Sequence, residues 1–456
     1  MSIEAIKDAI RHGADGDDLA AIPLGETYRA AHTLRAEQEM FDGVPSDEKD
    51  PRRSLHVGEV PLPELAPDEV VVAMMASAIN YNTVWTSVFE PLSTFLFLDR
   101  FAREGQWERR HSQDHHVVGS DGSGVIVRTG NAVRGWKPGD RVVIAPVVTH
   151  DQDPAANEDQ MLAANQKAWG FETNFGGLAD LSVVRASQLL PKPTHLSWEE
   201  AAVNMLCAGT SYRMLIGRHA SQMRQGDVVL IWGATGGIGG YAVQLVLEGG
   251  GIPVAVVSSP ERAAVLHELG CEHVINRAAE DYRFWKDPQT QDESEWRRLG
   301  KQIRSMAGSD PDIVFEHPGR ETFGASVFVA KRGGSIVTCA ATTGYDLEYD
   351  NRHLWMKLKR IIGSHGANMQ ENHNVNALIN RGTIQPLLTE TYDLADVGEA
   401  ALAVKENRAE GKVAVLCLAE SEGEGIEDPE KRARIGDDRI TAWSRLFARA
   451  RAGELT

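Results

Sequence analysis

The stretch DVVLIWGATGGIGGYAVQLVLEGG, Asp227 to Gly250, decides the fold. It opens with a short continuous apolar run, the mark of a strand buried on both faces, and closes with apolar residues at helical spacing. Between them stand Gly233, Gly236 and Gly239, with Gly237 alongside. Glycines there let the backbone approach a pyrophosphate, whose charge meets the free N–H groups of a helix N-terminus. The spacing therefore predicts a dinucleotide site contacted by Gly233, Thr235, Gly236, Gly237, Ile238 and Gly239. A tight strand-to-helix turn with no ligand is the plain alternative. Context weighs against it, because a second strand ends about twenty residues later at VVSSPER. An acidic residue at that strand end would accept the ribose hydroxyls of NAD. This chain instead has Ser258 and Ser259 with Arg262 one turn on, donors and a cation suited to a 2′-phosphate, so NADPH is the expected cofactor. Arg277, after the next short strand, is a candidate second cation, with a surface role as its alternative.

Outward from this stretch, IPVAVVSS, PERAAVLHELG, HVIN, DIVFEHP and GSIVTCA continue an alternation of strand and helix that implies an α/β fold with a parallel sheet. Upstream, EVVVAMMASAIN and GVIVRTG are short segments punctuated by glycine and proline, the rhythm of a β-rich, barrel-like domain. Residues 1–50 read as an amphipathic helical lead-in with a polar connector. With 456 residues the chain exceeds what one core usually supports, so two domains are expected. The N-terminus alternates apolar and charged residues and no run of eighteen apolar residues occurs, so neither secretion nor a membrane span is expected. Cys207, Cys271, Cys339 and Cys417 are far apart, which argues against a disulfide framework and a structural zinc lobe and fits a reducing cytoplasm. A net charge of −18, from 47 basic and 65 acidic residues, repels nucleic acid and anionic lipid. Against that background Arg297, Arg298, Lys301 and Arg304, followed by Lys331, Arg332, Arg352, Lys357, Lys359 and Arg360, form a basic run. It reads either as a solvated face or as a site for a small polyanion such as a nucleotide or coenzyme A.

The segment GSDGSGVIVRTGNAVRGWKPGDRV, Gly119 to Val142, together with GATGGIGG, resembles the medium-chain dehydrogenase/reductase superfamily over most of the chain. The resemblance implies a GroES-like β-barrel catalytic domain and a Rossmann dinucleotide-binding domain inserted after it. The expected boundaries are 1–204 for the first part of the barrel domain with its N-terminal extension, 205–365 for the Rossmann domain, and 366–456 for the return and tail. The zinc-dependent branch carries its catalytic histidine where this chain has Ser120, so no metal is expected.

Four further segments, AINYNTVW (78–85), WGFETNFGGLA (169–179), DIVFEHPGRETFGAS (312–326) and LKRIIGSHGAN (358–368), resemble crotonyl-CoA carboxylase/reductase and its longer-chain relatives. That resemblance implies an NADPH-dependent homotetramer converting a 2-enoyl-CoA and carbon dioxide into an alkylmalonyl-CoA. It also implies a carbon dioxide pocket made of Asn80, Phe171, Glu172 and His365. Carbon dioxide is neutral and suits neutral donors: Asn80 offers an amide N–H, Glu172 and His365 fix a water that donates to the other oxygen, and Phe171 keeps bulk water from the carbanion. On this reading Glu172 is buried to orient that water. Read alone, Asn80 is a turn residue, while Phe171 and His365 are core residues. Gly366, and the small run Cys207, Ala208 and Gly209, suggest room for an acyl chain longer than crotonyl; close backbone packing is the alternative. Arg297, Arg304, Arg332 and Arg352 are the candidate coenzyme A contacts. A plain NADPH-dependent enoyl-CoA reductase, a quinone oxidoreductase and a non-catalytic NADPH-binding protein remain as rival readings.

Overall fold

The computed structural model describes residues 2–150 and 152–455. The chain divides into two compact units, Met1–Leu206 with Leu388–Ile440 and Cys207–Leu387 with Thr441–Thr456. Among the described residues no helix is long and apolar enough to cross a membrane.

The second unit is built on a six-stranded sheet in the spatial order His273–Asn276, Ile252–Val257, Val228–Ile231, Ile313–Glu316, Ser335–Thr338 and Arg360–Gly363. Every neighbouring pair is parallel. The first strand in sequence, Val228–Ile231, therefore lies in the middle, and the order reverses between it and Ile313–Glu316. Parallel sheets of this order bind ligands outside the carboxyl ends of the strands at that reversal. Trp232, Trp296, Phe323 and Ile336 fill one core cluster against the sheet. The outer strand Arg360–Gly363 is largely exposed.

The first unit centres on the eleven-residue strand Glu69–Ile79, buried throughout. It pairs along one edge with Gly122–Thr129, and along the other with Leu181–Arg185 through its first half and Lys412–Leu416 through its second. Two register shifts against Gly122–Thr129, at Val71/Val72 and Met74/Ala76, bend it. A second, three-stranded sheet orders His56–Pro61, Thr27–Leu34 and His115–Val117.

The return to the first unit comes at Leu388, later than the expected 366, and the tail from Thr441 goes back to the second unit. Contacts explain both shifts. Helix Met369–Asn380 is held to helix Met205–Ile216 by the ion pair Arg213–Glu371 at 2.9 Å, both side chains under a tenth exposed. The terminal helix Ala442–Arg451 packs on Pro260–Glu268, and a Cβ on Gly240 would stand 2.8 Å from Leu387 and 2.9 Å from Trp443.

Candidate active site

In the second unit the glycines of the turn divide the labour. Gly233 has φ +56°, a left-handed conformation suited to glycine, and a Cβ there would meet the His317 ring at 2.9 Å. Gly236 is the N-cap of helix Gly237–Glu248 and carries no side chain to occupy the helix N-terminus. A Cβ on Gly239 would lie 2.2 Å from the Gly233 carbonyl oxygen, so turn and helix touch backbone to backbone. Thr235 is buried, and its Oγ1 accepts from the Arg262 guanidinium at 3.0 Å. That bond brings the cation from the end of the second strand to the glycine-rich turn. Ser259 caps helix Pro260–Glu268, its Oγ accepting from the Arg262 N–H at 3.3 Å, while Ser258 stands exposed. The cradle fits a dinucleotide, and Arg262 fits a phosphate beside it. Arg277 has a local counter-charge: it pairs with Glu321 and stacks over Phe284 at 5.6 Å.

The structure disperses the candidate coenzyme A arginines. Arg297 pairs with Glu293 at 2.8 Å, Arg304 with Asp310 at 2.6 Å, and Arg352 with Asp350 at 2.5 Å. For these three the solvated-face reading suffices. Arg332 donates to the Met356 carbonyl and lines a cavity of about 290 Å³ with Arg224, Lys331 and Arg360. That cavity lies where Ile313–Glu316, Ser335–Thr338 and Arg360–Gly363 begin, at the amino ends of the strands, opposite the end that carries the glycine-rich turn. Gly366 has φ +53°, which by itself calls for glycine. At Gly209 the expected room is filled, because a Cβ would meet Asn372 Oδ1 at 2.4 Å and the Ala367 Cβ at 3.2 Å.

In the first unit, Asn80 follows strand Glu69–Ile79 and is the N-cap of helix Tyr81–Val88, yet its side chain makes no capping bond. Its Nδ2 donates to Asp121 Oδ2 at 2.8 Å, and its Oδ1 accepts from the Lys412 ammonium. Lys412 also lies 3.1 Å from Asp121 Oδ2, with the two side chains 3% and 0% exposed. Sheet register creates this cluster. Val413 faces Ile79 and Gly122 faces Ser77, so Lys412 and Asp121 arrive from the strands on either side of Asn80. Sequence reading missed both partners, since a lysine and an aspartate separated by hundreds of residues give no periodic signal.

Phe171 is half-buried, its ring 5.9 Å from Phe97. Glu172 is also half-buried rather than fully enclosed, and its Oε2 accepts from the Ala168 N–H at 2.8 Å. This bond meets part of the carboxylate's need for donors, and partial exposure meets the rest. Gly170, at φ +67°, brings the loop so close to Gly119 that a Cβ would stand 2.0 Å from its carbonyl oxygen. His365 belongs to the second unit and is exposed, not a core histidine.

The site does not fit the zinc of the related dehydrogenases. Ser120 donates to the Trp169 carbonyl at 2.6 Å and accepts from Asn82 at 2.7 Å. The Asp121 carboxylate is taken up by Asn80, Lys412 and the Leu206 N–H. Elsewhere among the described residues Glu293, Asp350 and His353 bring ligand atoms within 4.8 Å of one another, but Arg297 and Arg352 already neutralise the two carboxylates.

Residues 66–194 match the family model for the alcohol dehydrogenase GroES-like domain, and residues 237–381 match that for zinc-binding dehydrogenases. The chain is 53% identical over 436 residues to the crotonyl-CoA reductase of Streptomyces collinus, covering 95% of this chain and 98% of that one. It is 34% identical over 438 residues to the crotonyl-CoA carboxylase/reductase of Cereibacter sphaeroides, covering 93% and 97%. Among solved structures, the 2-octenoyl-CoA carboxylase reductase CinF in complex with NADP and 2-octenoyl-CoA superposes with a TM-score of 0.94 at 54% identity, covering 97% of this chain and 99% of that one. The GroES-like and Rossmann-type domains implied by the superfamily resemblance are those of its relatives, and the chain belongs to the crotonyl-CoA carboxylase/reductase family of the medium-chain dehydrogenase/reductase superfamily.

Proposed function

We propose that this protein is an NADPH-dependent enoyl-CoA carboxylase/reductase that turns a 2-enoyl-CoA and carbon dioxide into an alkylmalonyl-CoA and accepts acyl chains longer than crotonyl. NADPH, when bound, supplies the hydride that makes the thioester enolate. The chain's own residues then govern what the enolate meets. Asn80 donates an amide N–H to one carbon dioxide oxygen, Glu172 and His365 hold a water for the other, and Phe171 keeps bulk water away. The observation that carries the reading is the Asn80 amide: a neutral donor, buried, and held by charged partners away from the helix end it would otherwise cap. The long-chain preference is supported by the likeness to a 2-octenoyl-CoA enzyme.

Incubation with NADPH and either crotonyl-CoA or 2-octenoyl-CoA, with and without bicarbonate, tests this reading. We expect alkylmalonyl-CoA with bicarbonate and saturated acyl-CoA without it, with 2-octenoyl-CoA used at least as well as crotonyl-CoA. Saturated product alone under both conditions would favour the plain reductase. Asn80→Leu and Phe171→Ala are each expected to lower the carboxylated share about fivefold or more, as losing a hydrogen bond or admitting water does, while NADPH is still oxidised. Arg262→Ala is expected to raise the KM for NADPH about tenfold or more and to leave NADH use nearly unchanged, since a charge-assisted phosphate contact is lost. Equal use of NADH and NADPH by the unaltered enzyme would contradict the cofactor assignment.

The proposal includes a homotetramer in the cytoplasm. Association is supported by the open sheet edge at Arg360–Gly363 and by Trp355, Met356 and Leu358, each more than half exposed beside it. Light scattering giving the mass of a monomer would contradict it.

A further inference from the structure

We infer that Lys412 and Asp121 are positioning residues that fix the direction in which the Asn80 amide donates, and thereby set how the enolate divides between carboxylation and protonation. The inference rests on the proposed role of Asn80 as a donor to carbon dioxide. An amide has one accepting end and one donating end, and rotation by half a turn exchanges them. Here the Lys412 ammonium faces Oδ1 and the Asp121 carboxylate lies 2.8 Å from Nδ2. An ammonium has no acceptor and an ionised carboxylate no donor, so the rotated amide would face N–H against N–H and oxygen against oxygen. One orientation survives.

The two partners are themselves fixed. Lys412 Nζ donates to the Ile79 carbonyl at 3.1 Å, Asp121 Oδ1 accepts from the Leu206 N–H at 2.9 Å, and the Asp121 carbonyl accepts from Ser77 Oγ at 2.7 Å. Both approach from strands whose register against Glu69–Ile79 is set by the buried sheet. A cation on the amide oxygen also draws electron density from the nitrogen and strengthens the N–H as a donor. In water these effects would be slight; with both charged side chains almost completely buried, screening is weak.

The test is the alkylmalonyl-CoA formed per NADPH oxidised at saturating bicarbonate, using the enoyl-CoA that the protein reduces fastest. Because each product is counted against NADPH, the share does not depend on how much of a variant is folded. Lys412→Met, and the charge-balanced double variant Lys412→Met with Asp121→Asn, are expected to lower the share about fivefold, the consequence of losing alignment of one ordinary hydrogen bond. Lys412→Arg keeps the buried charge balance and serves where the neutral variants do not accumulate; its larger head displaces the amide oxygen and should lower the share about twofold. An unchanged share in these variants, alongside a fall in Asn80→Leu, overturns the inference and leaves the role of Asn80 standing. An unchanged share in Asn80→Leu as well shows that the role of Asn80 itself is wrong, and the inference falls with it.

Discussion

Gly239→Ala is expected to cost the protein its grip on NADPH. The added Cβ would stand 2.2 Å from the Gly233 carbonyl oxygen, 2.8 Å from the Gly233 carbonyl carbon and 2.9 Å from the Ala234 Cα. All three are backbone atoms of the glycine-rich turn, the proposed pyrophosphate cradle, so no side-chain rotation relieves the clash. Helix Gly237–Glu248 must back away from the turn, and overpacking of this kind costs roughly 1–3 kcal/mol. The strain falls where the N–H groups at the helix N-terminus must point at the ligand. We expect the Kd for NADPH, measured by titration calorimetry, to rise about a hundredfold, with the shift in orientation adding to the strain. Gly250→Ala is the control for general destabilisation: its φ of +75° makes alanine strained there, while its nearest contact would be only the Gln225 side chain at 3.4 Å, away from the glycine-rich turn. Equal losses in the two variants would mean that general destabilisation, not the cradle, is being measured.

The stability of the second unit is expected to fall as pH rises from 4.5 to about 7, and Glu316 is the reason. This carboxyl is completely buried at the end of strand Ile313–Glu316, where it accepts from the Gly319 N–H at 3.0 Å, Thr322 Oγ1 at 2.8 Å and Ser326 Oγ at 2.5 Å. Burial pushes its pKa from the ordinary 4.5 up to about 7, although the three donors pull it down. Desolvation wins. The folded state therefore holds a proton that the unfolded state releases between these two values, and stability declines across that window and levels off above it. The full effect is about 3 kcal/mol as an upper figure. Denaturant unfolding across pH 4.5–8 should show a shallower decline in Glu316→Gln, which carries no titrating proton. Parallel profiles for the two proteins would refute the assignment. Because Trp232 donates to Ser326 Oγ at 2.8 Å, the same network ties the end of strand Val228–Ile231, where the glycine-rich turn starts, to helix Phe323–Val329.

Local chemistry carried the part of this fold that the sequence made legible. The run from Asp227 to Gly250 needs only its own apolar periodicity and glycine spacing to declare a strand, a turn and a helix, and the strands beyond it follow the same rule. What stayed hidden depends on contacts between distant segments. No periodicity says that Gly240 must admit Leu387 and Trp443, so the late return at Leu388 and the homing of helix Ala442–Arg451 were not foreseeable. The basic run was ambiguous for a related reason: Arg297, Arg304 and Arg352 read equally as a solvated face or an anion site until Glu293, Asp310 and Asp350 are placed beside them. Gly366 and Gly209 suggested room for a ligand, whereas one answers to its backbone angle and the other to helix packing. In the first unit Asn80, Phe171 and Glu172 became candidates through resemblance alone, and the Lys412 and Asp121 contacts to Asn80 exist only through sheet register.

The central claim is that the enolate formed by hydride transfer attacks carbon dioxide. Its most direct test is to supply the protein with NADPH, 2-octenoyl-CoA and carbon-13 bicarbonate and to weigh the product by mass spectrometry. A single labelled carbon in an alkylmalonyl-CoA, formed in step with each NADPH oxidised, is the predicted result. Saturated acyl-CoA with no label, formed at the same rate whether or not bicarbonate is present, would contradict it.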